Sequence, residues 1–247
     1  MSMVILAVIT FVAGLLIGCV GAGGFFLIPA LNIIADMSTH TAMATALFSF
    51  IFTGTLGTFL YLRRRSIDWE LTIPLCLASI VTSYPGSLAN AVAPARLLNL
   101  ILAGIIIFAG VYALKPQKPP KDLTPAMKRN RRLLLIGIGS AVGFASGLTG
   151  VGGPVLSVPI MISFGFPPLA TIAASQVLQI TASSSGSIGN FQNGFIDFSI
   201  AWWVILLELA GVGLGVWLAH RTPGGTLKKI VSVVCIFVGL YMLIKWL

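Results

Sequence analysis

The chain alternates long apolar stretches with short polar punctuation. Residues 41–62, 71–92 and 97–114 each reach or approach the roughly 20 apolar residues that cross a bilayer core. A second trio follows at 171–191, 198–219 and 227–247. Ahead of each trio stand two shorter apolar pieces parted by glycines: 3–17 and 25–34 in the first half, 133–145 and 155–164 in the second. None of these four pieces has a comfortable spanning length. The pattern therefore predicts either a broken helix or a hairpin that enters the membrane and returns. The expected fold is an all-α integral membrane protein.

Internal repetition organises the pattern. An offset of 129 residues carries Gly14, Gly18, Gly21, Gly23 and Gly24 onto Gly143, Gly147, Gly150, Gly152 and Gly153. The same offset pairs Ile67-Asp68 with Ile196-Asp197, Pro94 with Pro223, and the run from Ile107 to Leu114 with that from Ile236 to Leu243. One inserted residue between these anchors pairs Pro29 with Pro159 and Thr41 with Thr171. Apolar composition alone would not align glycines, an aspartate and prolines in order. The chain reads as a first membrane repeat at 1–114, a polar linker at 115–132 and a second repeat at 133–247. With Pro116, Pro119, Pro120 and Pro125, the linker reads as extended and solvated.

Composition confirms the solvent and excludes other classes. Hydrophobic residues make up 57% of the chain and charged residues 9%, too few to cover a water-soluble domain of this size. The net charge of +9 resides in connecting loops and not on a helix face, which argues for membrane topology and against nucleic acid. If each glycine segment is re-entrant, the halves are inverted. Arg63, Arg64 and Arg65, the linker, and Arg221, Lys228 and Lys229 then share one side, leaving Arg96 and Lys245 opposite. Four crossings per half would make the repeats parallel and the basic residues less segregated. Basic residues gather on the cytoplasmic side, so the inverted arrangement is expected, with the linker cytoplasmic. Leu16-Ile17-Gly18-Cys19 has the form of a lipoprotein cleavage box. No basic residue precedes its apolar run, however, and cleavage is not expected. Cys19, Cys76 and Cys235 stand singly in apolar segments, so neither a metal site nor a disulfide is expected.

The candidate chemistry centres on the two glycine clusters, Gly18-Cys-Val-Gly-Ala-Gly-Gly24 and Gly147-Leu-Thr-Gly-Val-Gly-Gly153. Neither carries the Lys-Ser/Thr of a phosphate loop. Close helix packing is one reading. The other is a matched pair of helix breaks, the sequence mark of a transporter's binding site. A helix resuming at Phe25 or Val155 would present free N–H groups suited to an anion. Candidate binding residues are Gly21, Gly23, Gly24, Thr149, Gly150, Gly152 and Gly153, with Thr45, Ser49, Ser175, Gln176 and Gln179 from the helices that follow. Interhelical hydrogen bonding is the structural alternative for the polar side chains. Glu208, the one carboxyl deep in an expected span, is a proton-coupling candidate; a protonated glutamate bonded to a neighbouring helix is the alternative. Asp68 and Asp197 read as helix N-caps. No cofactor is expected.

The glycine break followed by Pro29, and again by Pro159, with the repeat, the length and the basic central loop, resembles the TauE/SafE sulfite exporter family over essentially the whole chain. The resemblance implies a secondary transporter in the cytoplasmic membrane of a prokaryote, exporting sulfite, organosulfonates or a related small sulfur-containing anion by alternating access, with proton coupling as an option. Transport of another small metabolite, a membrane scaffold or assembly protein, and an intramembrane enzyme are the rivals. The last lacks an HExxH motif, a GxSG serine and paired carboxylates. The expected partners are the anion and the lipid bilayer, with a homo-oligomer as a further option.

Overall fold

The computed structural model describes residues 2–20, 23–114, 130–219 and 225–246, with side chains described at all of these except 2, 20, 113–114, 219 and 225–235. Most of the linker, Gly21, His220, Arg221 and the side chains of Lys228, Lys229 and Cys235 therefore lie outside the described residues. Every described element is helical. The first half contains α1 (Ser2–Val20), a 3₁₀ turn (Gly24–Phe26), α2 (Leu27–Ile34), α3 (Thr39–Arg63), α4 (Trp69–Val92) and α5 (Ala95–Leu114). The second contains α6 (Arg131–Thr149), α7 (Pro154–Ser163), α8 (Pro168–Gln192), α9 (Phe198–Ala219) and α10 (Gly225–Trp246).

Local chemistry sets the boundaries. Ser38 caps α3 by accepting the Thr41 N–H, and Asp68 caps α4 by accepting from Glu70 and Leu71. The Asp197 carboxyl accepts from the Ser199 and Ile200 N–H groups at the start of α9. The Ser199 hydroxyl and these N–H groups hold that exposed carboxyl below the usual range. Gly150 ends α6 in the left-handed conformation, at φ 67°. Both aspartates thus cap helices, as the sequence indicates.

Among the described residues, five helices have the length and hydropathy of membrane spans: α3, α4, α5, α6 and α9. Large apolar side chains line the outside, among them Val8 and Val12 on α1, Leu77 and Val81 on α4, and Trp203 and Leu206 on α9. Buried positions hold Ser49, Thr53, Ser83, Gln176, Gln179 and Glu208. An apolar exterior around a partly polar interior is the arrangement a hydrocarbon solvent imposes.

Helix directions follow from which residues meet. Along α3 and α8, Leu47 lies by Gly186, Thr53 by Gln179 and Gly57 by Gln176, so these helices run antiparallel. In α5 and α10, Arg96 donates to the Trp246 carbonyl while Ile107 lies by Gly239, again antiparallel. By contrast α1 runs parallel to α9, with Gly14 by Glu208 and Gly18 by Val212. Helix α6 runs parallel to α4 in the same way, with Gly139 by Leu75, Gly143 by Ser79 and Gly147 by Ser83. Each half's first helix is thus clamped to the other half's middle helix, and counterpart helices point in opposite directions. Arg63, Arg64, Arg65, Arg131 and Arg132 fall at one face of the bundle, and Arg96 and Lys245 at the other.

The glycine clusters divide into two roles. Gly14, Gly18, Gly143 and Gly147 lie inside helices, where a Cβ would overlap backbone of the partner helix. Here the packing reading holds. Helices α1 and α6 consequently continue to 19 residues each, about 28 Å at the α-helical rise. They extend past the apolar pieces 3–17 and 133–145 expected from the sequence, because Gly18 and Gly147 belong to the helices and not to the breaks. Among the described residues, the interruptions fall at Gly23, ahead of the 3₁₀ turn, and at Gly150 to Gly153. From Gly150, beside Met43, the chain turns through the left-handed Gly152 to Gly153, beside Leu178 and Gln179, before α7 begins. The Arg131 guanidinium at the start of α6 lies 5.8 Å from the Phe166 ring in the α7–α8 turn. The second-half hairpin therefore returns to the face from which it entered.

Candidate functional site

The two breaks converge on one side chain. A Cβ at Gly24 or at Gly152 would meet the Phe50 ring, which is buried on α3. Ile17, Gly23, Gly24, Phe50, Val151, Pro154, Val155 and Gln179 line a seam between the hairpin tips, packed too closely to admit a water molecule. Phe50 and Gln179 thus face each other from α3 and α8, one helix of each half.

The side chains on α3 and α8 set the polarity of the seam. Gln179 donates to Thr53 Oγ1 at 2.9 Å and to the Phe50 carbonyl at 3.2 Å, tying the helices together. One turn along α8, Gln176 is 1% exposed and lies against Gly57, and neither its oxygen nor its nitrogen has a hydrogen-bond partner. Helix α7 starts with Pro154, which offers no N–H, and the Ser157 N–H already bonds to the Gly153 carbonyl. By the geometry of a helix start, the N–H groups of Val155 and Leu156 are left without an intrahelical partner at the tip. No charged side chain is among the seam residues.

The remaining candidates from the sequence lie apart from the seam. Thr45 Oγ1 accepts the Asp197 N–H near the end of the bundle, 3.1 Å away. Thr149 bonds back to the Ala145 carbonyl, and Ser175 bonds to Ser157 and to the Thr171 carbonyl between α7 and α8. These are the interhelical and local bonds of the structural alternative. Ser49 Oγ donates to the Ala46 carbonyl and stands beside the Glu208 carboxyl without making a bond of good geometry. Phe50, Ile17 and Val151 were not singled out from the sequence, because an apolar residue in an apolar helix carries no signal.

This architecture defines a polytopic helical membrane protein with paired, broken hairpins meeting at its centre. The sequence model of the sulfite exporter TauE/SafE family matches residues 6–242, and the chain belongs to that family. It is 25% identical to the probable membrane transporter protein YdhB of Bacillus subtilis over 97% of this chain and 99% of that one. It is 26% identical to the probable membrane transporter protein YunE of the same organism, over 97% of this chain and 96% of that one. A probable membrane transporter protein of Methanocaldococcus jannaschii is 26% identical over 97% and 95%. No solved structure matches the chain.

Proposed function

We propose that this protein is a secondary transporter that exports a small anion, sulfite, an organosulfonate or a related sulfur-containing anion, across the cytoplasmic membrane by alternating access. The seam between the hairpin tips is its substrate site. The observation that carries the reading is the convergence of both glycine breaks on Phe50 and Gln179 at the bundle centre. Broken helices at matching places in two halves expose backbone donors where a continuous helix would have none. Because the seam lacks lysine and arginine, an anion there would be held by N–H groups and amides. Such binding is weak enough to release on either side. A seam closed to water corresponds to the occluded stage of a cycle, and separation of α3 from α8 would open it toward the face carrying Arg63.

Reconstituted protein, assayed for flux and for thermal stabilisation against a panel of sulfite, sulfonates, sulfate and uncharged analogues, tests this. The sulfur oxyanions should be carried and should stabilise the protein, and Gly152→Val and Gln176→Ala should lose both responses. Unchanged transport in both variants would remove the seam as the site. Absence of flux with every anion would remove the transport reading itself.

A further inference from the structure

The buried carboxyl of Glu208, a proton-coupling candidate from the sequence, is not among the residues lining the seam. It is 0% exposed, midway along α9, with α1 on one side through Gly14 and α3 on another through Ser49. Neither carboxyl oxygen has a hydrogen-bond partner. The titratable groups of the three helices are accounted for elsewhere. On α1, the Cys19 thiol donates to the Gly215 carbonyl; on α3, His40 bonds to Asn90 while Tyr61 and Arg63 occupy the far end; on α9, Asp197 caps the first turn. Among the described residues no positive charge faces Glu208. An ionised carboxylate without a partner is too costly to hold in such a place, so this packing accommodates only the neutral acid.

The equivalent place in the other half shows what a resting structural role looks like. Gly143 of α6 lies on Ser79 of α4 as Gly14 of α1 lies on Glu208 of α9. Ser79, 129 residues before Glu208, is satisfied by Thr181 at 2.9 Å and the Cys76 carbonyl at 2.9 Å. A serine there closes the junction with hydrogen bonds, whereas the glutamate leaves two oxygens unmet. Its link to the seam is one residue long: Ser49 faces Glu208, and the adjacent Phe50 presses on both glycine breaks.

We propose that Glu208 is a proton-binding site that licenses closure of the transporter. The α1–α3–α9 junction closes only with a proton on the carboxyl. Loss of that proton to water, when α3 moves away, holds the protein open. A single titrating group of this kind makes the rate of closure fall about tenfold for each pH unit above its midpoint. The inference rests on the transport reading for its flux consequences, but its conformational consequence does not.

Two measurements on the reconstituted, full-length protein test it. Wild-type sulfite flux should decline as pH rises on both sides of the membrane, while Glu208→Gln, whose neutral amide stands in for the protonated acid, keeps the low-pH flux throughout. A retained pH decline in Glu208→Gln overturns the proposal, and so does a variant that folds but carries nothing at any pH. Thermal melting without substrate gives the second arm. The wild type should lose stability with rising pH and the variant should not, even if no anion proves to be carried. Parallel melting curves would overturn the proton site while leaving the transport reading intact.

Discussion

Two glutamines one turn apart on α8 make opposite predictions from the same substitution. Gln179 spends its amide nitrogen on Thr53 and the Phe50 carbonyl, whereas both amide atoms of Gln176 are buried and unmet. Methionine matches glutamine closely in volume and flexibility, so replacement changes polarity with little change in packing. At Gln176 it removes an unsatisfied polar group, which should stabilise the closed form by about 1–3 kcal/mol. At Gln179 it removes interhelical hydrogen bonds worth together about 1 kcal/mol inside a membrane bundle. At roughly 2–4 °C per kcal/mol for a chain of this size, Gln176→Met should melt about 2–12 °C higher than the wild type and Gln179→Met about 2–4 °C lower. Purified protein in one detergent, followed by intrinsic tryptophan fluorescence, provides the assay. A stability gain from Gln176→Met combined with loss of anion stabilisation would identify an amide kept for its ligand at the expense of the closed state. A lower melting temperature for Gln176→Met would refute the reasoning, since it would mean the amide is already satisfied.

Other expectations are simpler. Gly150→Ala puts a side chain at φ 67° and onto the Met43 carbonyl, and should cost roughly 2–4 kcal/mol, whereas Gly137→Ala, in α6 with open space around it, should be neutral or gain up to about 1 kcal/mol. Equal melting temperatures for the two variants would contradict the tight turn assigned to Gly150. For topology, a cysteine at Asn193 and one in the linker, each in a cysteine-free background, should react with an impermeant thiol reagent from opposite sides of the membrane. Labelling from the same side would contradict the antiparallel relation of α3 and α8.

How much of this was legible in the sequence depends on what kind of signal each residue carries. Glycine, proline and aspartate report backbone geometry, so the helix breaks at the glycine clusters and the caps at Asp68 and Asp197 could be read directly. Helix continuity through Gly18 and Gly147 could not, because it is a partner helix that stabilises a glycine-containing helix. Helix α8 was legible at 171–191, but it falls outside the five apolar spans because its face against α3, α4 and α7 carries serines and glutamines. Thr45 and Ser175 looked like pathway residues by proximity in sequence, but each lies one or more turns from the seam. Phe50 became visible only when two glycine breaks, distant in sequence, met on its ring.

The central claim is that the seam is the substrate site and opens to each side of the membrane in turn. Val151, 2% exposed and part of the seam wall, reports this directly when replaced by cysteine in a cysteine-free, flux-competent background. During turnover an impermeant thiol reagent should modify Val151→Cys from either side of the vesicle, and sulfite should slow both reactions. A cysteine that stays unreactive from both sides while anion flux continues would contradict the account.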